Sequence, residues 1–527
     1  MHTSQISRAE TIDRLTEPNL DLLVIGGGIT GARVAFEGAR LGLRVALVEA
    51  GDFGGGTSSA SSKLVHGGFR YLPMGDIALV RESQRERAVL MDRVAPNLVR
   101  PLPFLLPVYA GATRGPATVA TGLLLYRVLG GRGGRVSILR RRDVQDAAPG
   151  VRLDGLRMCG VFDEAETIDA RLVVATVKAA ARAGALVLNH ARVVGLELRH
   201  NRGGAVAIDA GRDGVFELRV RDVVNAAGPW VDGVRALDDP RSRPLVRLSK
   251  GVHLLLAQEQ GWSVGVAKPL GGGRVALAIP WQGMLMLGTT DTPYDGDPAA
   301  VCVTEADVSC VLDEAPGFVE GALLARDRVR FETAGLRALP MADCETAAAR
   351  REHVIEMSRN GMISVAGGKL TTHRLIACDA LRRLPRWTGA RIAPDDRRLP
   401  GTGWSLDLED RPDVAPDVAD HLERMYGDEA GRVVALAAST PGGLDRIHRS
   451  GPDVWAQVAY AFQREWAQTV DDVARRRTTI AMRGLLTEEI AIRMAAMAAE
   501  CAASGLSMAA DTPLTAHSAF DAQQRPR

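Results

Sequence analysis

Residues 61–72 read SSKLVHGGFRYL, with no carboxylate among them. Lys63, His66, Arg70 and Tyr71 gather around a Gly67-Gly68 pair. These residue types suit two jobs. One is a basic loop on the surface. The other is a polar lining held against a cofactor and an anionic substrate, where glycine admits close backbone approach and arginine's planar fork gives an anion paired hydrogen bonds.

The elements upstream bear on the choice. Residues 20–50 read LDLLVIGGGITGARVAFEGARLGLRVALVEA. The apolar run 22–25 suits a buried parallel strand. Gly26, Gly28 and Gly31 follow as G-x-G-x-x-G, the spacing predicts a helix over 33–41, and RVALVE is a second buried strand ending at Glu49. Gly26 permits the tight turn, Gly28 lets pyrophosphate approach the backbone, and Gly31 lets helix and strand pack closely. The helix N-terminus supplies amides and positive dipole for phosphate. Glu49, 18 residues beyond Gly31, stands where a carboxylate binds a ribose hydroxyl. The unit reads as dinucleotide-binding, with FAD and NAD both open.

Two later segments favour FAD. RDVVNAAGPWVD reads as a strand at 223–225 that breaks at Ala227-Gly228 beside Trp230. GMISVAGGKLTTHRLIACDAL reads as a strand at 362–366, a Gly367-Gly368 turn, then a helix carrying Lys369 and Thr371. Its amides and lysine would face partial negative charge of the kind that reduced flavin develops along its N1–C2=O edge.

Composition narrows the field. With 46% hydrophobic and 24% charged residues, 527 residues can build a sizeable core over roughly three domains. A net charge of +2 gives no case for nucleic acid, so any anion site must be local. The six cysteines are scattered, which indicates neither disulfides nor a thiolate metal site and fits a reducing cytoplasm. GTTDTPYDGD lacks the terminal glutamate and ligand spacing of a calcium loop, and no metal is expected. The first twenty residues are charged throughout, unlike a secretory signal. No apolar run is long enough for a membrane span, and ATVATGLLLYRVLGG reads as a partly buried helix more than a membrane-surface one.

Together these segments resemble the FAD-dependent glycerol-3-phosphate dehydrogenases, within the glutathione-reductase-type flavoproteins and amino-acid oxidases. The resemblance runs from about Asp21 to Arg374 through IGGGITG, GTSSASSKLVHGGFRYL, DEAETIDARLV, NAAGPWV, KGVH, GTTDTPYDGD, AGLRAL and GGKLTTHR. It resumes at 464–478 with REWAQTVDDVARRRT. Three positions depart from the family's pattern: Ala338 replaces a proline, His373 a tyrosine, and glycines at 54–56 a serine-rich flavin loop.

The resemblance implies FAD as cofactor and oxidation of sn-glycerol 3-phosphate to dihydroxyacetone phosphate by hydride transfer to flavin N5, with membrane quinone taking the electrons. It implies cofactor contacts from Gly26, Gly28, Gly31, Glu49, Ser58, Ser61, Ser62, Lys63, His66, Gly67, Gly228, Gly367, Gly368, Lys369, Leu370 and Thr371. Arg70, Tyr71, Arg337, Arg351 and Lys369 would surround the substrate, since arginine suits a phosphate dianion. His253 would be the base, its intrinsic pKa being right for proton transfer, with Arg337 lowering the alcohol's pKa. His373 would only pack near the ring, and Asp169, Arg171, Thr290 and Asp291 would be structural. An oxidase of the same fold, using oxygen or acting on an amino or hydroxy acid, is the alternative. A non-catalytic FAD scaffold is another. Several basic groups favour a phosphate over a carboxylate.

The expected architecture is α/β. A Rossmann-like FAD-binding domain comes from 20–75, 150–235 and 330–384, and a β-sheet-based substrate domain from 76–149 and 236–329. A linker at 385–403 leads to a helical C-terminal domain at 404–508 and a flexible tail at 509–527. A helix at 170–183 should precede strands at 185–188 and 193–198, and AGRDG should turn between two more. A homodimer in the cytoplasm, peripheral on the inner face of the cell membrane, completes the expectations.

Overall fold

The computed structural model describes residues 7–503 except 18–19, 113, 131–135, 258–260, 272–273, 342–352, 386–391, 405–407, 409–410 and 412. Strand Leu20–Ile25 is the centre of the first sheet, parallel to Val45–Val48 on one side and Val215–Asn225 on the other. Parallel neighbours require crossovers, and helix Ile29–Arg40 is the first of them. Ile363–Gly367 and the antiparallel edge His353–Met357 extend one side of the sheet, and Leu186–Leu188 the other. Helix Ile29–Arg40 packs against helices Asp169–Arg182 and His373–Leu381. Their apolar faces join Leu22, Val24 and Leu47 in one core. The AGRDG turn forms at Gly211–Asp213, between the paired strands Gly203–Asp209 and Val215–Asn225.

Among the described residues the second sheet has ten strands. Its longest ladders are Val99–Tyr109 with Leu156–Thr167, and Val246–Ala257 with Val329–Pro340. Leu156–Thr167 and Val329–Pro340, which fall within the stretches 150–235 and 330–384 or at their edge, belong to this second sheet. Each finds its backbone partners along a full-length antiparallel neighbour far away in sequence, which local pattern does not reveal.

Helices Pro416–Tyr426, Ala430–Ala437, Trp455–Arg464, Val470–Arg476 and Glu488–Ala503 make up the C-terminal region. Part of the expected linker (386–391) and the expected tail lie outside the described residues. After the gap the chain is anchored, with Ile392 and Leu399 buried. Helix Pro116–Gly130 is more exposed than its apolar sequence suggests. It buries Leu123 and Tyr126 but leaves Leu124, Leu125 and Val128 at 58%, 42% and 69% exposure. Among the described residues no helix is long and apolar enough to cross a membrane.

Candidate functional site

A cavity of about 1860 Å3 is bounded by the glycine-rich unit, the second sheet and part of the C-terminal region. That exceeds the roughly 300–1,000 Å3 usual for small-molecule sites and suits an extended dinucleotide. Gly26, Gly28, Glu49, Ser58, Ser61, Ser62, His66, Gly228, Gly367, Gly368, Lys369 and Leu370 all line it. So do Tyr71 and Arg337.

At the nucleotide end, Gly26 has φ +105°, open to glycine and strained for other residues. A Cβ on Gly31 would lie 1.9 Å from the Gly26 carbonyl oxygen, so helix and strand could not approach as they do. The Ile29 amide, first in its helix, donates to Ser58 Oγ at 3.0 Å. The Glu49 carboxylate accepts from the amides of Gly27 (2.6 Å) and Gly51 (2.8 Å). Burial pushes its pKa up despite those two bonds. A carboxylate so placed gains from hydroxyl donors such as a ribose diol. The residues present thus fit FAD.

At the other end, strand Val329–Pro340 carries Arg337 beside strand Val246–Ala257, in register with Ser249. Arg337 Nη2 donates to Thr289 Oγ1 at 2.8 Å and to the Thr290 carbonyl at 3.1 Å. Nη1 lies 3.4 Å from both Ser249 Oγ and Asp291 Oδ1. The guanidinium is thereby oriented while its side chain stays 33% exposed. A Cβ on Gly251 would sit 2.4 Å from Nη2, so glycine there makes room for it. In the same cavity, Lys369 Nζ stands 3.7 Å from the Tyr71 ring centroid, a cation–π contact that holds a second charge.

His253 lies just behind the wall. It is buried, does not line the cavity, and its Nε2 lies 2.9 Å from the Oγ of Ser62, which does. Among the described residues its Nδ1 has no hydrogen-bond partner. Burial lowers its pKa to about 3, with the Arg337 and Lys63 charges acting in the same direction. The imidazole is accordingly neutral through the physiological range.

Several of the expected residues do not line the cavity. Lys63, at φ 57°, turns inward, where its ammonium donates to Asp169 at 2.8 Å and to the Ser59 carbonyl at 2.6 Å. A buried cation needs such a partner, and here it pins the loop from behind. Gly67 faces the second sheet, its amide donating to Glu164 Oε2 at 2.6 Å. Thr371 donates to the His66 carbonyl at 3.2 Å, tying two cavity segments together without lining the cavity. Lys369 and Thr371 precede their helix, which starts at His373, because positive φ at Gly367 and Gly368 holds the chain in a turn. His373 is buried under that turn, 2.7 Å from the Leu370 carbonyl through Nδ1. The Arg70 side chain and all of Arg351 lie outside the described residues.

Other lining residues carry no local signature. Phe69, Phe104, Phe162 and Glu164 face the cavity from the second sheet and its adjoining loop. Thr469, Asp471, Asp472 and Arg476 face it from the C-terminal region. In the sequence the latter stood out only as the stretch where the family resemblance resumes, 464–478.

A glycine-rich crossover with Glu49 at the end of its second strand, and a second sheet lining the same large cavity, fit an FAD-dependent oxidoreductase. The family model described as FAD dependent oxidoreductase matches residues 21–374, and one described as the C-terminal domain of alpha-glycerophosphate oxidase matches 394–509. The chain is 34% identical over 490 residues to the glycerol-3-phosphate dehydrogenase of Mycobacterium leprae (strain TN), covering 90% of this chain and 83% of that one. It is 31% identical over 506 residues to the aerobic glycerol-3-phosphate dehydrogenase of Staphylococcus aureus (strain USA300), covering 91% and 90%. The crystal structure of the Bacillus halodurans glycerol-3-phosphate dehydrogenase complexed with FAD aligns with a TM-score of 0.72 at 29% identity, over 96% of this chain and 98% of that one. The chain belongs to the FAD-dependent glycerol-3-phosphate dehydrogenase family, and FAD is its cofactor.

Proposed function

We propose that the protein oxidises sn-glycerol 3-phosphate to dihydroxyacetone phosphate and passes the electrons to a quinone. The observation that carries this reading is the oriented, part-exposed Arg337 in the same cavity as the Lys369–Tyr71 pair. Fixed cations at a cavity wall suit a phosphate dianion, with Arg70 and Arg351 proposed to complete the set. Bound FAD supplies the two-electron acceptor for the C2 hydride. The C2 hydroxyl proton passes to Ser62 Oγ as the Ser62 proton passes to His253 Nε2, since Ser62 separates the buried imidazole from the cavity. A dianion beside Arg337 would offset one of the charges that depress His253, raising its proton affinity when substrate is present.

A membrane quinone requires access to a bilayer, and one surface supports that. Leu124, Leu125, Val128 and Ile138 are exposed, and residues 112–142 contain seven arginines and no acid. Apolar side chains among arginines suit an anionic lipid surface, on the cytoplasmic face of the cell membrane. Wild-type protein should sediment with vesicles containing anionic lipid, and Leu124→Ser with Val128→Ser should not.

Anaerobic mixing with glycerol 3-phosphate tests the reaction by loss of the flavin absorption band. Reoxidation then tests the acceptor. A quinone analogue should restore the band much faster than oxygen does; the reverse order would support the oxidase named in the C-terminal family model.

A further inference from the structure

The segment QTVDDVARRRT takes no part in the reaction above, yet it meets the cofactor cavity at its nucleotide end. Glu49 and Asp52 line one side there, and Asp471, Asp472 and Arg476 the other. Asp52 lies three residues beyond Glu49 and is 3% exposed. It accepts from Arg476 Nε at 2.5 Å, and from Arg477 Nη1 and Nη2 at 2.9 Å each. Arg477, itself fully buried, also donates to the Glu465 carbonyl at 2.9 Å.

The neighbouring loop is gripped as well. Ala191 and His190 donate backbone hydrogen bonds to Glu49 and Gly51, both 2.8 Å. His190 Nε2 lies 3.0 Å from Asp472 Oδ2, and Asn189 Nδ2 donates to the Trp466 carbonyl at 2.7 Å. Both loops around the ribose carboxylate are thus fastened to one short stretch of the helical region. Without that stretch, Asp52 would be a buried carboxylate lacking its cations, and the Glu49 loop would lose its backing.

We propose that residues 465–477 form the closing wall of the site for the adenosine half of FAD, and that docking of the helical region and FAD binding stabilise each other through Asp52. The coupling is reciprocal by linkage: what tightens the wall tightens FAD, and FAD tightens the wall. It depends on the cofactor and not on the identity of the substrate.

Two measurements on the full-length protein test this. In the first, FAD is added to wild-type protein stripped of flavin while amide hydrogen exchange is followed. Protection should rise across 465–477 and stay nearly unchanged in the distal part of helix Glu488–Ala503. In the second, Arg477→Met and the milder Arg476→Lys are titrated with FAD by flavin fluorescence. Kd should rise at least tenfold in the first and several-fold in the second, with the KM for glycerol 3-phosphate at saturating FAD within twofold of wild type. Unchanged exchange across 465–477 overturns the proposal. So does an FAD Kd within twofold of wild type in a variant whose helical region has become protease-sensitive. If Arg477→Met does not fold, the exchange measurement and Arg476→Lys decide.

Discussion

The two ends of the cavity are built differently. At the nucleotide end, Asp52, Arg476, Arg477 and Asp472 are buried and joined by hydrogen bonds, those of Asp52 reaching segments far away in sequence. At the substrate end, Arg337 is one-third exposed and its acidic neighbour Asp291 half exposed. The proposed function accounts for the difference by what each end would hold. A cofactor kept through every turnover can be met by a rigid, desolvated frame. A phosphate that enters and leaves needs oriented cations still in touch with water. Breaking one partner of a buried ion pair costs about 3–5 kcal/mol, while an exposed pair contributes about 1 kcal/mol or less.

The largest effect should come from Asp52→Ala, which leaves buried Arg477 with only the more distant Glu465 carboxylate, 3.7 Å from its Nε. Stability should fall by about 3–5 kcal/mol in urea unfolding, with flavin lost from the purified protein. Next, His253→Asn should lower kcat by about 10²- to 10⁴-fold with little change in KM, the range for a general base. Normal turnover in this variant would remove His253 from the proton path. Arg337→Ala should lower kcat/KM by on the order of 10²-fold, raising KM and depressing kcat, while flavin content is unchanged. Loss of flavin there would erase the contrast between the two ends. The smallest effect is expected for Asp291→Asn. It loosens Arg337, and KM should rise only a few-fold, as befits an exposed pair.

Acid should separate the ends too. Burial would raise the pKa of Glu465, but Arg171 and Lys178 outweigh it and hold the group well below the carboxylate range. Asp472 is likewise held low by His190 and Arg476 against the effect of burial. Both contributions are complete above the unfolded values of about 4.3 and 3.9 and are lost only as pH falls below them. His253 behaves otherwise. Its folded pKa of about 3 lies below the unfolded value of about 6.5, so in that window the unfolded chain binds more protons and stability declines as pH falls. Urea midpoints at pH 7 and pH 5 should therefore drop more in wild type than in His253→Asn. Equal drops would show that the histidine is not held neutral.

Legibility in the sequence follows the same division. Gly26, Gly28, Gly31 and Glu49 were readable because a strand, a tight turn and a helix in succession impose their spacing locally. Lys369 was readable from its place after the Gly367-Gly368 turn, whereas His253 and Arg337 came from resemblance, since a single histidine or arginine in a strand has no spacing of its own. Even so, the strand register that sets Arg337 against Ser249 and the Ser62 barrier before His253 were not visible. The ion pair that turns Lys63 inward was not visible either, because Lys63 and Asp169 lie 106 positions apart. The contacts of 465–477 with the Asp52 loop were hidden for the same reason on a larger scale: Arg476 and Asp52 are 424 positions apart. Local pattern carries local geometry, and what two distant segments build between them appears only on folding.

The most direct test compares glycerol 3-phosphate with glycerol under anaerobic conditions, in wild type and Arg337→Ala, by the rate at which the flavin band is lost. The phosphate ester should bleach wild-type flavin far faster than glycerol at equal concentration, and that advantage should shrink in Arg337→Ala. Bleaching by an amino acid with none by glycerol 3-phosphate would contradict the account.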